Sequence, residues 1–403
     1  MPGENDRWLD GYFQGVSWGP QFTPSLTPAH LRFAAILQGF APAAKERFTY
    51  VDAGCGAGLT VTLLAAAHPE GKFVGVDINP DQIEAASALA RSCGVHNVEF
   101  ACRTLGQFAQ AAHSDSIDFL VCNNVFSFVN DETRRAFAAL ASGALRDDGL
   151  AQLTYLAQPM NALKATLRPL MFRHFKTAGG SVAARISQTI DYLEGLAIGD
   201  LYFFKMHPQI REIVGELRRL TVEQFANEFL NENYECFFRD EIIAMTGLSF
   251  VASTYLARNF PEYGGGAAQA AQDILLAEYG VAAGNNSDLL AHDLKRIGGD
   301  AQLQMLMPQT VALAQPLEAL PDKIGDHRLT VLRSTPWVDR LLRHLQARPC
   351  PIEELLRDAE IRTAGLRQLM MALSILIDAR CLCIPLPATD RVKEVMTRYA
   401  AAQ

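Results

Sequence analysis

The chain has 403 residues, which at roughly 150 residues per domain makes two or three domains. Hydrophobic residues make up 49% and charged ones 20%, so a large core can form and extensive disorder is disfavoured. Forty-four acidic against 36 basic residues give a net charge of −8, which argues against a general affinity for nucleic-acid phosphate or anionic membrane.

The N-terminal stretch MPGENDRWLDGYFQG has neither the basic start nor the apolar core of a secretory signal, and no apolar run approaches the ~18 residues of a membrane span. A cytoplasmic protein is expected. Eight cysteines (Cys55, Cys93, Cys102, Cys122, Cys236, Cys350, Cys381 and Cys383) are scattered without a Cys-x-x-Cys pair. They read as reduced, buried thiols rather than metal ligands.

Residues 1–45 read as a helical lead. From Phe48 onward short β-type runs alternate with amphipathic helical stretches, the pattern of an α/β fold with a parallel sheet. A strand over Phe48–Asp52 leads into the turn Ala53-Gly54-Cys55-Gly56-Ala57-Gly58 and a helix over Leu59–Ala67. A strand at Lys72–Asp77 precedes a helix opened by Asn79-Pro80 and running to about Cys93, proline being tolerated in a first helical turn. Further strands are expected at Asn97–Cys102 and Ile117–Cys122, then a helix from about Asp131 to Leu145 and a turn at Asp147-Asp148-Gly149. A fifth strand over Ala151–Ala157 completes a Rossmann-like core at 46–158.

From Met160 to Asn233 the pattern turns helical, so residues 159–236 read as an insertion, a lid or regulatory unit at the ligand-binding edge of the sheet. Arg239–Thr246 reads as a helix stopped by Gly247. Ser249–Tyr255 reads as a sixth strand, returning the chain to the sheet within 237–262. Residues 263–330 read as linker and helices; Asn259–Ala271, with Gly264-Gly265-Gly266, and Gly280–Ser287 read as linkers or loops around a short helix. The last segment, 331–403, follows a strand-like Leu329–Leu332. It has helices at Trp337–Gln346, Ile352–Ala359 and Thr363–Asp378 and a strand at Cys381–Leu386, a winged-helix-like order. Its basic and acidic residues nearly balance, so a packing module or a homodimer contact is expected there rather than DNA binding.

The turn after the first strand carries the chemistry. Its glycines let the backbone bend tightly and approach a ligand. The dinucleotide fingerprint is Gly-x-Gly-x-x-Gly, whereas this chain has Gly54-x-Gly56-x-Gly58 with Asp52 two residues ahead. That word resembles motif I of the class I S-adenosylmethionine (SAM) dependent methyltransferases. Asp77, at the end of the second strand, is placed to accept hydrogen bonds from both ribose hydroxyls, a role that would serve NAD equally. The resemblance implies a SAM cofactor held by Asp52, Gly54, Cys55, Gly56, Gly58, Asp77 and Ile78, with Thr104 near the adenine amine and Asn123 at the end of strand four. Asn124 either positions a nucleophile or, with Asn123, caps the strand.

Further words resemble a narrower group, the bacterial SAM-dependent methyltransferases with a methyltransferase regulatory domain, which include protein-lysine methyltransferases. These are Leu31–Phe40, Leu64–Asp77, Asn123–Val129 and, most specifically, FANEFLNENYECFF at Phe225–Phe238. The chain departs from that group at Asn123-Asn124 (His-Gly in the group), Phe128 (Trp), Leu156 (Asn) and around Val16–Phe22. These positions surround the methyl acceptor, so cofactor use carries over better than substrate choice.

Three functions follow as expectations: methylation of protein lysines, methylation of a small biosynthetic intermediate, or a catalytically weak SAM-binding scaffold. Methyl transfer from a sulfonium needs alignment and exclusion of water rather than a metal. Tyr155 either assists deprotonation of an acceptor amine or is a half-buried tyrosine with its hydroxyl satisfied. Glu232, within Asn231-Glu232-Asn233, either orients an ammonium or fixes the lid. Tyr202, Phe203 and Phe204 either line an acceptor pocket or pack a helical core.

Overall fold

The run Thr49–Ala53 (β1) is buried on both faces, as the centre of a parallel sheet requires. It pairs in parallel with Lys72–Asp77 (β2) on one side and Ile117–Cys122 (β4) on the other. In the computed structural model, which describes residues 7–16, 19–264 and 274–402, Val98–Cys102 (β3) lies beyond β2 and Leu145–Ala157 (β5) beyond β4. Ser249–Ser253 (β6) and Asn285–Ala291 (β7) complete the order β3-β2-β1-β4-β5-β7-β6, with β7 antiparallel to both neighbours.

Alternation along the strands gives the sheet two cores. Tyr50 and Phe119 point into one, with Leu31 of the helix Pro28–Leu37 (α1) and Leu63 of Leu59–Ala67 (α2). Val51 and Leu120 point into the other, with Phe137 of Asp131–Gly143 (α5). Between these helices in the chain, Pro80–Ser92 (α3) starts where Asn79 accepts from Asp81 N and Gln82 N, and Leu105–Ala111 (α4) follows β3.

The sheet departs from the sequence reading in two places. Asp147-Asp148-Gly149 is no turn: β5 runs through it with a shift of register, Ile117 facing Leu145 and Phe119 facing Leu150. Lys45 ties this bulged stretch down, binding Asp118 at 2.9 Å and Asp148 at 2.8 Å. The second departure is β7, which begins inside the expected Gly280–Ser287 loop. Its polar residues Asn286, Ser287 and Asp288 are all buried, so hydropathy does not reveal it. The core sheet therefore reaches into the segment read as linker and helices. The glycine run read as a linker falls, from Gly265 on, outside the described residues, as do the first six residues of the helical lead.

The insertion is helical as expected: Ala162–Thr177 (α6), Val182–Ile198 (α7), Tyr202–Met206 (α8), Ile210–Leu217 (α9) and Val222–Phe229 (α10) enclose a core of their own. Phe13 joins that core from a short N-terminal hairpin, Trp8–Leu9 with Tyr12–Phe13. Phe204 is buried in it, whereas Tyr202 and Phe203 are exposed. The chain returns through Arg239–Thr246 (α11), and Gly247 ends that helix at a φ of +68°.

After Ile274–Val281 (α12) and Gly299–Leu306 (α13), three short strands, Thr310–Leu313, Cys350–Pro351 and Leu382–Cys383, form a small antiparallel sheet. Around it lie Pro336–Ala347 (α14), Ile352–Leu355 (α15), Ala359–Arg362 (α16) and Gly365–Asp378 (α17). This C-terminal module shares the core on the α1/α2 face of the large sheet. Asp378 accepts from Leu256 N and Ala257 N at 2.9 and 2.8 Å. The last helix, Asp390–Ala402 (α18), packs on α2, and Thr389 Oγ1 donates to Ala66 O. No helix among the described residues is long and apolar enough to cross a membrane.

Candidate active site

Between β1 and α2 the backbone takes positive φ three times, +95° at Gly54, +52° at Gly56 and +68° at Gly58. Gly54 and Gly58 are also crowded: an added Cβ would run into Val125 Cγ2 at the first and come within 2.6 Å of Ala86 and Phe100 at the second. At Gly56 the nearest atom would be 3.8 Å away, so conformation alone selects glycine there. Asp77 braces the turn, its Oδ2 accepting from Gly56 N and its Oδ1 from Asn79 N, both at 2.9 Å. Each carboxylate oxygen keeps capacity for a further donor.

Burial sets the protonation of this corner. Asp52 is pushed up to about 7, by burial first and then by the charge of Asp77. Burial also raises Asp77, opposed by the backbone N–H groups of Asn79 and Gly56. Cys55 is pushed well above the usual thiol range by burial, with Asp52 and Asp77 adding to it. It stays a thiol, with no nucleophilic role at neutral pH.

A cavity of about 760 Å³ opens over the turn and the carboxyl ends of the strands, within the usual range for small-ligand sites. It has three walls: the strand ends, the hairpin with α10, and the C-terminal module. At the strand ends the Asn123 side chain accepts from Thr154 Oγ1 at 2.8 Å. Thr154, Ser287 and Thr254 continue as a row of hydroxyls, 3.3 and 2.5 Å apart. Below them His30 Nε2 lies 2.8 Å from Thr254 O. A carbonyl can only accept, so Nε2 carries the proton, and burial pushes the ring down to about 4.

Asp52, Gly54, Cys55, Gly56, Gly58, Asp77, Ile78, Asn123, Asn124 and Tyr155 all line this one cavity. Asn124 is exposed there in a left-handed conformation, φ +56°. Tyr155 lines it too, but its hydroxyl points into the protein, donating to Asp288 Oδ2 at 2.6 Å and accepting from Asn286 Nδ2 at 3.1 Å. Burial, then the charge of Asp288, raise it well above the ordinary tyrosine value.

Two expected residues are not brought to the cavity lining. The Thr104 hydroxyl accepts from Gln107 N in a capping box that starts α4, and its neighbours Arg103 and Leu105 line the cavity instead. Glu232 lies beyond the end of α10, half-exposed, with Lys176 at 3.9 Å. In its place α10 presents Asn227 and Glu228 to the cavity, together with Asn231, whose Oδ1 accepts from Phe13 N at 2.9 Å. Sequence reasoning missed Glu228, Tyr12 and His30. Tyr12 donates to Asn227 Oδ1 at 2.8 Å and is pushed up to about 12 by burial and then Asp77. The one available signal for Glu228 is its place inside the signature word, one helical turn before Asn231.

The bare backbone at Gly56, the carboxylate at the end of β2 and the cavity volume together fit an adenosyl ligand. Comparison with known proteins agrees. Residues 44–197 match the model of a methyltransferase domain. PKMT2 from Rickettsia typhi, solved in complex with AdoHcy, shares the fold with a TM-score of 0.66 at 19% identity, over 91% of this chain and 77% of that one. An uncharacterised protein of Synechocystis is 25% identical over 253 residues, 62% of this chain and 50% of the relative. The chain thus spans about half the length of that curated relative. A malonyl-[acyl-carrier protein] O-methyltransferase of Acetivibrio thermocellus is 32% identical over 87 residues, 22% of this chain and 29% of that protein. With the motif, the sheet order and the family model in agreement, the chain carries a class I S-adenosylmethionine-dependent methyltransferase domain.

Proposed function

We propose that the protein methylates lysine side chains of other proteins. The observation that carries this reading is the wall made by the hairpin and α10, where Asp10, Tyr12, Asn227 and Glu228 line the cavity. Carboxylates there attract an ammonium, and the tyrosine ring covers an aliphatic stem. The similarity to PKMT2 from Rickettsia typhi is in keeping with it.

The Gly54–Gly58 backbone and Asp77 would hold SAM, with Asp77 on the ribose. When bound, SAM supplies an electrophilic methyl group on a sulfonium. The chain's own residues have three tasks. Desolvation between the hairpin and α10 lowers the pKa of the bound ammonium, which eases its loss of a proton before transfer. Burial, reinforced by Glu216 and opposed by Lys164, raises Glu228 above the ordinary carboxylate value, which makes it a better proton acceptor. The amide of Asn124, on the cavity, aligns the nucleophile. Tyr155 acts as a positioning residue, holding the ends of β5 and β7 through Asp288.

The test is transfer of radiolabelled methyl from SAM to proteins of a cell lysate by the full chain, followed by amino-acid analysis. Label in methyllysine is expected. Label found only in small molecules would overturn the lysine reading in favour of a small acceptor, and absence of SAM binding by calorimetry would overturn the enzyme reading itself.

A further inference from the structure

The third wall of the cavity belongs to the C-terminal module, which contributes Asp378, Arg380, Leu382, Cys383 and Ile384. Arg380 stands out in this wall. It follows α17, whose end is closed by Arg380 N donating to Ile377 O and Cys381 N to Leu376 O, both at 2.9 Å. The closure puts Arg380 at φ +56°, a conformation that glycine adopts freely and a side chain adopts at a cost. Gly247 fills the equivalent place after α11. An arginine where the backbone favours glycine points to a use for its side chain.

The guanidinium is exposed, and no salt bridge involves it among the described residues. The nearest cavity carboxylate in the chain, Asp378, is engaged with Leu256 N and Ala257 N, and the cation acting on it is Arg258. Gln315 Nε2 donates to Arg380 O at 3.3 Å, so the backbone is held from the loop that follows the strand Thr310–Leu313. A fixed backbone, an exposed guanidinium and a place in the cavity wall are what a bidentate carboxylate receptor needs.

We propose that Arg380 is a carboxylate-binding residue of this cavity, lent to the methyltransferase domain by the C-terminal module. The inference rests on the methyltransferase reading for its choice of ligands. Two carboxylates can occupy the position, the amino-acid end of the cofactor or an acidic residue beside the acceptor lysine.

Calorimetry on the full chain separates them. The probes are S-adenosylhomocysteine, 5′-methylthioadenosine, which lacks the amino-acid carboxylate, a lysine peptide flanked by glutamates, and the same peptide with glutamines. Arg380→Gly removes the side chain and relieves the backbone, so its melting temperature should be unchanged or higher. If the cofactor is the source, this variant binds S-adenosylhomocysteine roughly tenfold more weakly and methylthioadenosine as before. If the acceptor is the source, the glutamate peptide, measured with S-adenosylhomocysteine present, weakens by a similar factor and the glutamine peptide does not. Arg380→Lys should recover part of either loss. Affinities within twofold of the parent for all four probes, or no binding of any probe by the parent, would overturn the inference. Failure of the parent to bind S-adenosylhomocysteine and methylthioadenosine would count against the methyltransferase reading, with Arg380 then judged on the peptides alone.

Discussion

Gly54 and Gly56 share a motif but differ physically. At both a side chain meets a positive φ, and at Gly54 it also meets Val125. Gly56→Ala should therefore cost about 1 kcal/mol, while Gly54→Ala should cost clearly more and abolish measurable SAM binding. Thermal melts and calorimetry on the two variants check the ranking. Asp77→Ala removes two charge-assisted bonds to the backbone besides the ribose contact. It should weaken SAM at least ~30-fold by calorimetry, since such bonds contribute about 1.5–3 kcal/mol each.

Asp52 gives a pH prediction. Its pKa is about 7 folded against an ordinary 3.8, so the folded chain holds that proton more tightly. The stability this confers is fully present below pH 3.8 and is lost as pH rises through 7. Asp52→Asn stays neutral throughout. Without ligand, the variant should match the parent near pH 4 and exceed it above pH 7 by on the order of 4 kcal/mol. Denaturant unfolding at both pH values measures the difference, and equal stability of the two at pH 8 would refute the assignment.

At the scale of elements, the first half of β7 joins the sheet through polar side chains, while Leu289 and Leu290 pack into the two cores. Arg239 of α11 binds Asp288 through Nε at 2.8 Å and Nη2 at 3.0 Å, and Asp288 also receives the Tyr155 hydroxyl. Glu278 of α12 accepts from Arg239 N and Asn286 Nδ2, both at 2.8 Å. Asp288→Ala leaves the arginine buried and unpaired and should cost about 3–5 kcal/mol. Tyr155→Phe leaves the ion pair intact and should cost about 1 kcal/mol with SAM affinity unchanged. A Tyr155→Phe variant of full stability that has lost turnover would instead make the hydroxyl catalytic. The hairpin depends on α10 in the same way, through Phe13 N to Asn231 Oδ1, Tyr12 to Asn227 and Trp8 Nε1 to Leu230 O at 2.8 Å.

Across the whole molecule, segments far apart in sequence share one cavity. Gly56 and Ile384 both line it, and α18 rests on the helix that the glycine turn begins. S-adenosylhomocysteine should therefore slow amide exchange in residues 376–384 as well as in 54–60. Slowing confined to the glycine turn would show that the module does not sense the ligand. A module read as a packing or dimer unit is here part of the wall of the site; whether it also joins two copies is a separate matter of oligomeric state.

The sequence alone determined the elements whose signals are local. The glycine turn, Asp77 at a strand end, the helix stop at Gly247 and the helical insertion are all written in neighbouring residues, because turn conformation and amphipathic period are local properties. Tertiary structure decided the rest. β7 looks polar until Arg239, Tyr155 and Glu278 surround it. Glu228 rather than Glu232 reaches the cavity because α10 ends between them. Arg380 becomes a site residue only when the C-terminal module folds back onto the sheet. Glu278, Arg239 and Tyr155 lie from 8 to 133 residues away in the chain from the β7 side chains they satisfy, and a buried polar group reveals its role only through the partner that satisfies it.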